Sequence, residues 1–158
     1  MYFNNIVWLT GQPGSGKTVL GTMLKNYYEK KKQKVIMIDG DDLREKTGNF
    51  DYTPDGRNKN ITNAQMIARY LHKSGYTVIV SLVAPYRDLR EEFKKEFSSL
   101  ITEVYVHCED ERGREEYHVK NYEEPLNNFL DLDTTNDTPK QSFKKIINYL
   151  KRYEIVEF

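Results

Sequence analysis

The chain has 158 residues and balances 24 Lys plus Arg against 24 Asp plus Glu, for a formal net charge of zero. That length fits one domain, 1–158, with a substantial core. The balance excludes the broad basic footprint that duplex nucleic acid requires, and no apolar run approaches the roughly 20 residues that span a bilayer.

Strand and helix signals alternate along the chain. Ile6 to Leu9 is a short apolar run that predicts a buried strand. After Gly11 to Gly16, a helix is predicted over about 17–31, with Val19, Leu20, Met23, Leu24 and Tyr27 on its apolar face. KVIMID, 34–39, predicts a second buried strand, and a short helix is expected near 42–46. The polar stretch TGNFDYTPDGRN is rich in turn formers and reads as a loop. A helix is predicted over about 58–73 and is ended by Gly75. YTVIVSLV predicts the third strand, DLREEFKKEF a charged helix and ITEVYVHC the fourth strand. EDERGREEYHVKN is charged and predicted to be partly helical. LDL, 130–132, predicts a short fifth strand. TPKQSFKKIINYLKRY predicts a final helix, with Thr138 as cap and Pro139 at its first position.

Strands separated by helices imply an α/β fold, a parallel sheet covered on both faces. Ligands of such sheets sit beyond the carboxyl ends of the strands. The single cysteine, Cys108, allows neither an intrachain disulfide nor a cysteine metal cluster, which fits an intracellular, cytoplasmic protein. His72, His107 and His118 show no ligand spacing. MYFNNIVWLT lacks the basic-then-apolar order of a signal peptide.

Residues 11–18, GQPGSGKT, satisfy G-x-x-x-x-G-K-[ST] between a strand signal and a helix signal. Glycines at 11, 14 and 16 permit backbone angles that other residues resist, so successive N–H groups can surround phosphate oxygens. The helix N-terminus adds partial positive charge. Gly11, Gln12, Pro13, Gly14, Ser15, Gly16, Lys17 and Thr18 are therefore predicted to bind ATP. Lys17 should reach the β and γ phosphates and Thr18 should ligate Mg²⁺. Two carboxylates follow at the end of the next strand, in DGDDLR. Asp39 is positioned to take a proton from an acceptor hydroxyl or to orient Mg²⁺ through water. Asp41 stands two residues on, and Arg44 offers a fork for an anionic acceptor. The alternative for the two aspartates is a solvated turn that caps a helix.

IVWLTGQPGSGKT, IDGDDLR, YTPDGRNKN and SLVAPYRDLR, in this order and at these intervals, resemble the adenylylsulfate kinase family from Ile6 to about Tyr149. The resemblance implies a three-layer P-loop kinase fold with a five-stranded parallel sheet in the order 2-3-1-4-5. It also implies Mg²⁺-ATP as donor and adenosine 5′-phosphosulfate as acceptor, in a family whose members are often homodimers. Asp39 matches the proposed catalytic base, with Lys17 and Asp41 completing the catalytic set and Thr18 and Asp39 the metal set. Asp41, Arg44, Tyr52, Arg57, Asn60 and Val83 match acceptor-contacting positions, Tyr52 standing where the family usually has a base-stacking Phe.

Four departures accompany the match. Asp42 replaces an asparagine, and the N-x-R-R element becomes Asn60-Ile61-Thr62-Asn63, without its two arginines. Ala84 replaces a serine that some members phosphorylate. The long lid shrinks to about 113–128, where Lys120 is the substitute for the lid lysine and no residue replaces a stacking phenylalanine. Arg112 and Arg114 are alternatives for the arginine that meets the transferring phosphoryl group, and Arg114 is taken as ATP-binding. A shortened lid implies a more open acceptor pocket and weaker or different acceptor binding, for example of a cytidine diphosphate derivative. A nucleotide-binding module without transferase activity is the third reading; Lys17, Thr18, Asp39 and Asp41 argue against it.

Overall fold

β1 (Ile6–Thr10) lies at the middle of the sheet, and every one of its side chains is buried. Alternate residues of a strand face opposite ways, so IVWLT serves two cores at once. Ile6 and Trp8 pack on one side and Val7 and Leu9 on the other. The computed structural model describes residues 5–97 and 99–152.

The elements follow in the predicted order. α1 (Lys17–Lys30) leads to β2 (Val35–Asp39), α2 (Gly40–Thr47), α3 (Pro54–Lys73), β3 (Thr77–Leu82) and α4 (Arg87–Glu96). β4 (Ile101–His107), a 3₁₀ turn (Glu115–Tyr117), β5 (Phe129–Asp133) and α5 (Pro139–Lys151) complete the described chain. All strand pairs are parallel, and the order is β2-β3-β1-β4-β5. Parallel neighbours need crossovers, and the helices supply them on both faces. One core joins the sheet to α3 and α4 through Ile61, Ala64, Ala68 and Phe93. The other joins it to α1 and α5 through Leu20, Leu24, Ile146 and Leu150.

Two boundaries differ from the sequence reading. α2 begins at Gly40 because Asp39 caps it, accepting the Asp41 N–H. α3 begins at Pro54, four residues before the predicted start. Thr53 accepts the Gly56 N–H and Pro54 occupies the first turn, where its missing N–H does no harm. Thr138 forms a reciprocal capping box with Gln141 at the start of α5, with Pro139 next, as the sequence indicated.

Register aligns the carboxyl ends of three strands. Thr10 pairs with Leu82 and Asp39 with Ser81. The P-loop, the Asp39 turn and the loop after β3 therefore emerge side by side.

Candidate active site

Residues 11–16 turn sharply between β1 and α1. Gly11, Gly14 and Gly16 all have positive φ, and a Cβ on Gly11 would collide with the Val106 carbonyl oxygen. The loop encloses Lys17, whose Nζ donates to the Gln12 carbonyl at 2.8 Å. Burial pushes the Lys17 ammonium down from 10.5 to about 8; Asp39 pulls it back up and Arg114 adds to the fall. Such a group gains from an anion that restores its charge.

Thr18 and Asp39 stand together. The Thr18 hydroxyl donates to Asp39 Oδ1 at 3.2 Å, and Asp39 Oδ2 accepts the Asp41 N–H at 3.3 Å. Both side chains border a cavity of about 380 Å³ along with Lys17. A second cavity of about 820 Å³ lies beside it. The two share Pro13, Gly40, Asp41, Leu82, Val83 and Arg114, so one trough runs from the P-loop to the α2–α3 side. A small apolar cleft of about 130 Å³, walled by Val19, Leu20, Thr134 and Pro139, lies near Gly16 at the start of α1.

The larger cavity gathers most of the predicted acceptor residues. Arg44, Tyr52, Arg57, Asn60 and Val83 all line it. Arg44 is buried, and its Nη1 donates to the carbonyls of Asn49 and Asp51 at 3.0 and 2.9 Å. Its guanidinium lies 4.1 Å from the Tyr52 ring centroid, and Arg57 Nε donates to the Tyr52 carbonyl at 2.9 Å. Arg44 and Arg57 thus shape the Tyr52 loop, and Arg44 already covers part of the ring proposed for base stacking. Asn60 Oδ1 is buried without a hydrogen-bond partner on this wall, the condition a ligand donor would relieve. Asp42 points away and pairs with Lys46, so its charge does not enter the cavity.

The segment after β4 needs one correction. Lys120, read as the lid lysine, is exposed and lines neither large cavity. Its neighbour Val119 is fastened to Gln12, and the backbone there carries Lys120 clear of the trough. Gln12 and Ser15 likewise contribute no side chain to the phosphate cavity; Ser15 lines the small cleft. Arg112 and Arg114, left as alternatives, both reach the phosphate cavity. Arg112 is tied to the Thr134 carbonyl at 2.8 Å, and Arg114 lies over the Tyr117 ring.

Sequence reasoning missed Phe50, Tyr117 and His118, which also line the larger cavity. Tyr117 is 59% exposed and stands on the wall of the larger cavity as a further aromatic beside Phe50 and Tyr52. The Y-H pair inside a charged, aperiodic stretch was the only signal, and it does not specify a direction.

The loop after β3 is held by three successive carbonyls. Thr10 Oγ1 donates to Val83 O at 2.9 Å, Arg90 to Ala84 O, and the Glu123 N–H to Pro85 O at 2.9 Å. Because the single Thr10 hydroxyl proton goes to Val83, Tyr122 is the donor in its 2.5 Å contact with Thr10 Oγ1. These bonds hold Ala84 at φ 42°, a left-handed value unusual outside glycine and asparagine.

The Thr18 hydroxyl and Asp39 carboxylate are hard oxygen donors of the kind Mg²⁺ takes alongside nucleotide phosphates and water. Among the described residues no group of three or more His, Cys, Asp or Glu side chains could hold an ion unaided. The donor set therefore fits an ion that arrives with a nucleotide. No described helix is long and apolar enough to cross a membrane.

A sequence model of the adenylylsulphate kinase family matches residues 4–142. The cytidine diphosphoramidate kinase of Campylobacter jejuni is 29% identical over 139 residues, covering 85% of this chain and 81% of that protein. The adenylyl-sulfate kinase of Halothermothrix orenii is 30% identical over 164 residues, covering 92% and 88%. The Mycobacterium tuberculosis APS kinase, solved in complex with AMPPNP and APS, shares the fold. Its TM-score is 0.79 at 20% identity, over 96% of this chain and 99% of that one. With its phosphate loop, its paired Thr18 and Asp39 and its family match, this chain is an ATP-dependent phosphotransferase that belongs to the adenylylsulphate kinase family.

Proposed function

We propose that the chain transfers the γ-phosphoryl group of Mg²⁺-ATP to the 3′-hydroxyl of adenosine 5′-phosphosulfate. The observation that carries this reading is the position of Asp39, fixed by two hydrogen bonds beside Thr18 at the P-loop end of a trough that continues into an arginine- and aromatic-lined cavity.

ATP binds with its phosphates in the P-loop amides and against Lys17, and its base in the cleft between Val19 and Pro139. The acceptor lies in the larger cavity with its base against Tyr52 and Tyr117, its anionic tail toward the arginines and a hydrogen bond to Asn60. Asp39 takes the proton of the acceptor hydroxyl as its oxygen forms a bond to the γ-phosphorus. The bond from that phosphorus to the β–γ bridging oxygen breaks, and ADP leaves with the electron pair. Lys17, Arg112 and Arg114 face the charge that spreads over the transferring group. Thr18 and Asp39 would hold Mg²⁺ together with the nucleotide, where the ion would neutralise phosphate charge. The outward turn of Asp42 toward Lys46 supports an anionic acceptor.

A second reading changes the acceptor alone, to a cytidine diphosphate derivative. The similarity to the Campylobacter jejuni cytidine diphosphoramidate kinase favours it. So does the presence of Thr62 and Asn63 where the family pattern has arginines.

ADP release in the presence of adenosine 5′-phosphosulfate or of cytidine diphosphate, with mass analysis of the products, separates the readings. A 3′-phosphorylated adenosine product supports the first. Turnover with the cytidine compound alone establishes the second. ATP turnover that neither acceptor stimulates removes both.

A further inference from the structure

Residues 112–119 run along the outside of the P-loop and touch it at four places in reverse order. Gln12 Nε2 donates to Val119 O and the Val119 N–H donates to Gln12 Oε1, both at 2.8 Å. His118 Nε2 donates to the Pro13 carbonyl at 3.1 Å. Arg114 packs on Gly14, where an added Cβ would lie 3.2 Å from its own Cβ. Arg112 Nη1 donates to the Ser15 carbonyl at 3.4 Å.

This short stretch serves both cavities, Arg112 and Arg114 facing the phosphates and Tyr117 and His118 the acceptor. Its regular structure is limited to one 3₁₀ turn, and that turn has no buried residue. Packing of its own therefore does not hold it. Gln12 occupies the first variable position of the P-loop motif, and its side chain enters neither large cavity. A primary amide is suited to the contact it makes, since it offers a donor and an acceptor side by side to one peptide unit.

We propose that Gln12 is a positioning residue: its amide clasps Val119 and holds residues 112–119 as a fixed strap. The strap then presents Arg114 to the transferring phosphoryl group and Tyr117 to the acceptor without a closing motion. The proposal rests on the assignment of the two cavities under Proposed function.

The test uses the full chain. Gln12→Leu keeps the size and removes both bonds; Gln12→Glu keeps one and sets an oxygen against the Val119 carbonyl. Deuterium exchange of the unliganded variants should accelerate at least about tenfold within 113–120 and stay unchanged in α1. Turnover is measured with adenosine 5′-phosphosulfate, with cytidine diphosphate and, without acceptor, as slow ATP hydrolysis. In the variants kcat should fall about tenfold while ADP affinity stays within about twofold. In acceptor-free ATP hydrolysis, where Tyr117 has no part, adding Gln12→Leu to Arg114→Ala should cost nothing further, because Gln12 acts there through Arg114. Unchanged exchange, or losses that multiply in the double variant, would overturn the proposal. If the wild type uses neither acceptor, the acceptor assignment fails, while exchange and ATP hydrolysis still decide the role of Gln12.

Discussion

The hydroxyl of Thr18 donates to the carboxylate of Asp39 across 3.2 Å, joining the first turn of α1 to the end of β2. Two residues 21 apart in sequence thus present adjoining oxygens to one cavity. Asp39→Asn preserves the size of the side chain and an acceptor for the Asp41 N–H, but removes the proposed proton acceptor. Phosphoryl transfer should fall by about 10²- to 10⁴-fold with ADP affinity nearly unchanged. Steady-state kinetics beside an ADP titration check this, and a variant with near wild-type kcat would remove Asp39 from the chemistry.

Lys17 should set the pH dependence of nucleotide binding. Its pKa in the free protein is about 8, lowered chiefly by burial. Phosphate oxygens favour the charged form, so the bound state has the higher pKa and binding takes up a proton above pH 8. ATP affinity should then fall with rising pH, by up to about tenfold per unit. For folding the sign is opposite: the native state carries the cost of a buried ammonium below pH 8, and that cost fades as pH rises toward 10.5. Calorimetric titration of ATP between pH 7 and 9.5 tests the binding claim; a flat profile would contradict it.

Tyr117 tests the proposed placement of the acceptor. Tyr117→Ala removes an exposed ring from the cavity wall and touches no core. Loss of one base-stacking surface corresponds to about 1–3 kcal/mol, or roughly 5- to 150-fold in acceptor KM, with ATP KM little affected. Equal rises in both constants would show that the ring supports the fold of the segment and does not stack on the acceptor.

Glu103 sits at 2% exposure between two cations, with Lys94 Nζ 3.1 Å from Oε1 and Arg90 Nε 3.8 Å from Oε2. Burial raises its pKa despite both partners. Glu103→Ala leaves the buried Arg90 without a carboxylate, while Lys94 keeps Glu91 at 3.0 Å, and should destabilise the protein by about 3–5 kcal/mol. Arg90 also holds Ala84 and Glu123, so acceptor kinetics should deteriorate as well. Chemical denaturation measures the first effect, and a loss below about 1 kcal/mol would mean that water enters the site and solvates the cations.

The strands and the phosphate loop were legible because each rests on local chemistry. An apolar run of four or five residues, a glycine pattern and a lysine-threonine pair all occupy short windows. The early start of α3 was legible too, since Thr53-Pro54 is a cap followed by a favoured first residue; the surrounding turn formers masked it. The resemblance placed Arg44, Tyr52, Arg57 and Asn60 at one cavity, although the contacts of Arg44 with residues 49–52 lie beyond any motif. The strap was not legible. Gln12 and Val119 are 107 positions apart, and no spacing rule links an amide in a glycine loop to a peptide unit in a charged segment.

Six residues wall both cavities, among them Asp41, Leu82 and Val83. On the proposed assignment of the two cavities, a change at any of them alters donor and acceptor sites together, so such changes are pleiotropic. Tyr52, Asn60 and Tyr117 face the larger cavity alone, and a lineage can vary them while keeping its ATP chemistry. Tyr52 in place of phenylalanine lies on that permissive side, and the missing arginine pair lies beside it. The partition gives this architecture a route by which acceptor preference can diverge while the phosphate end stays constant.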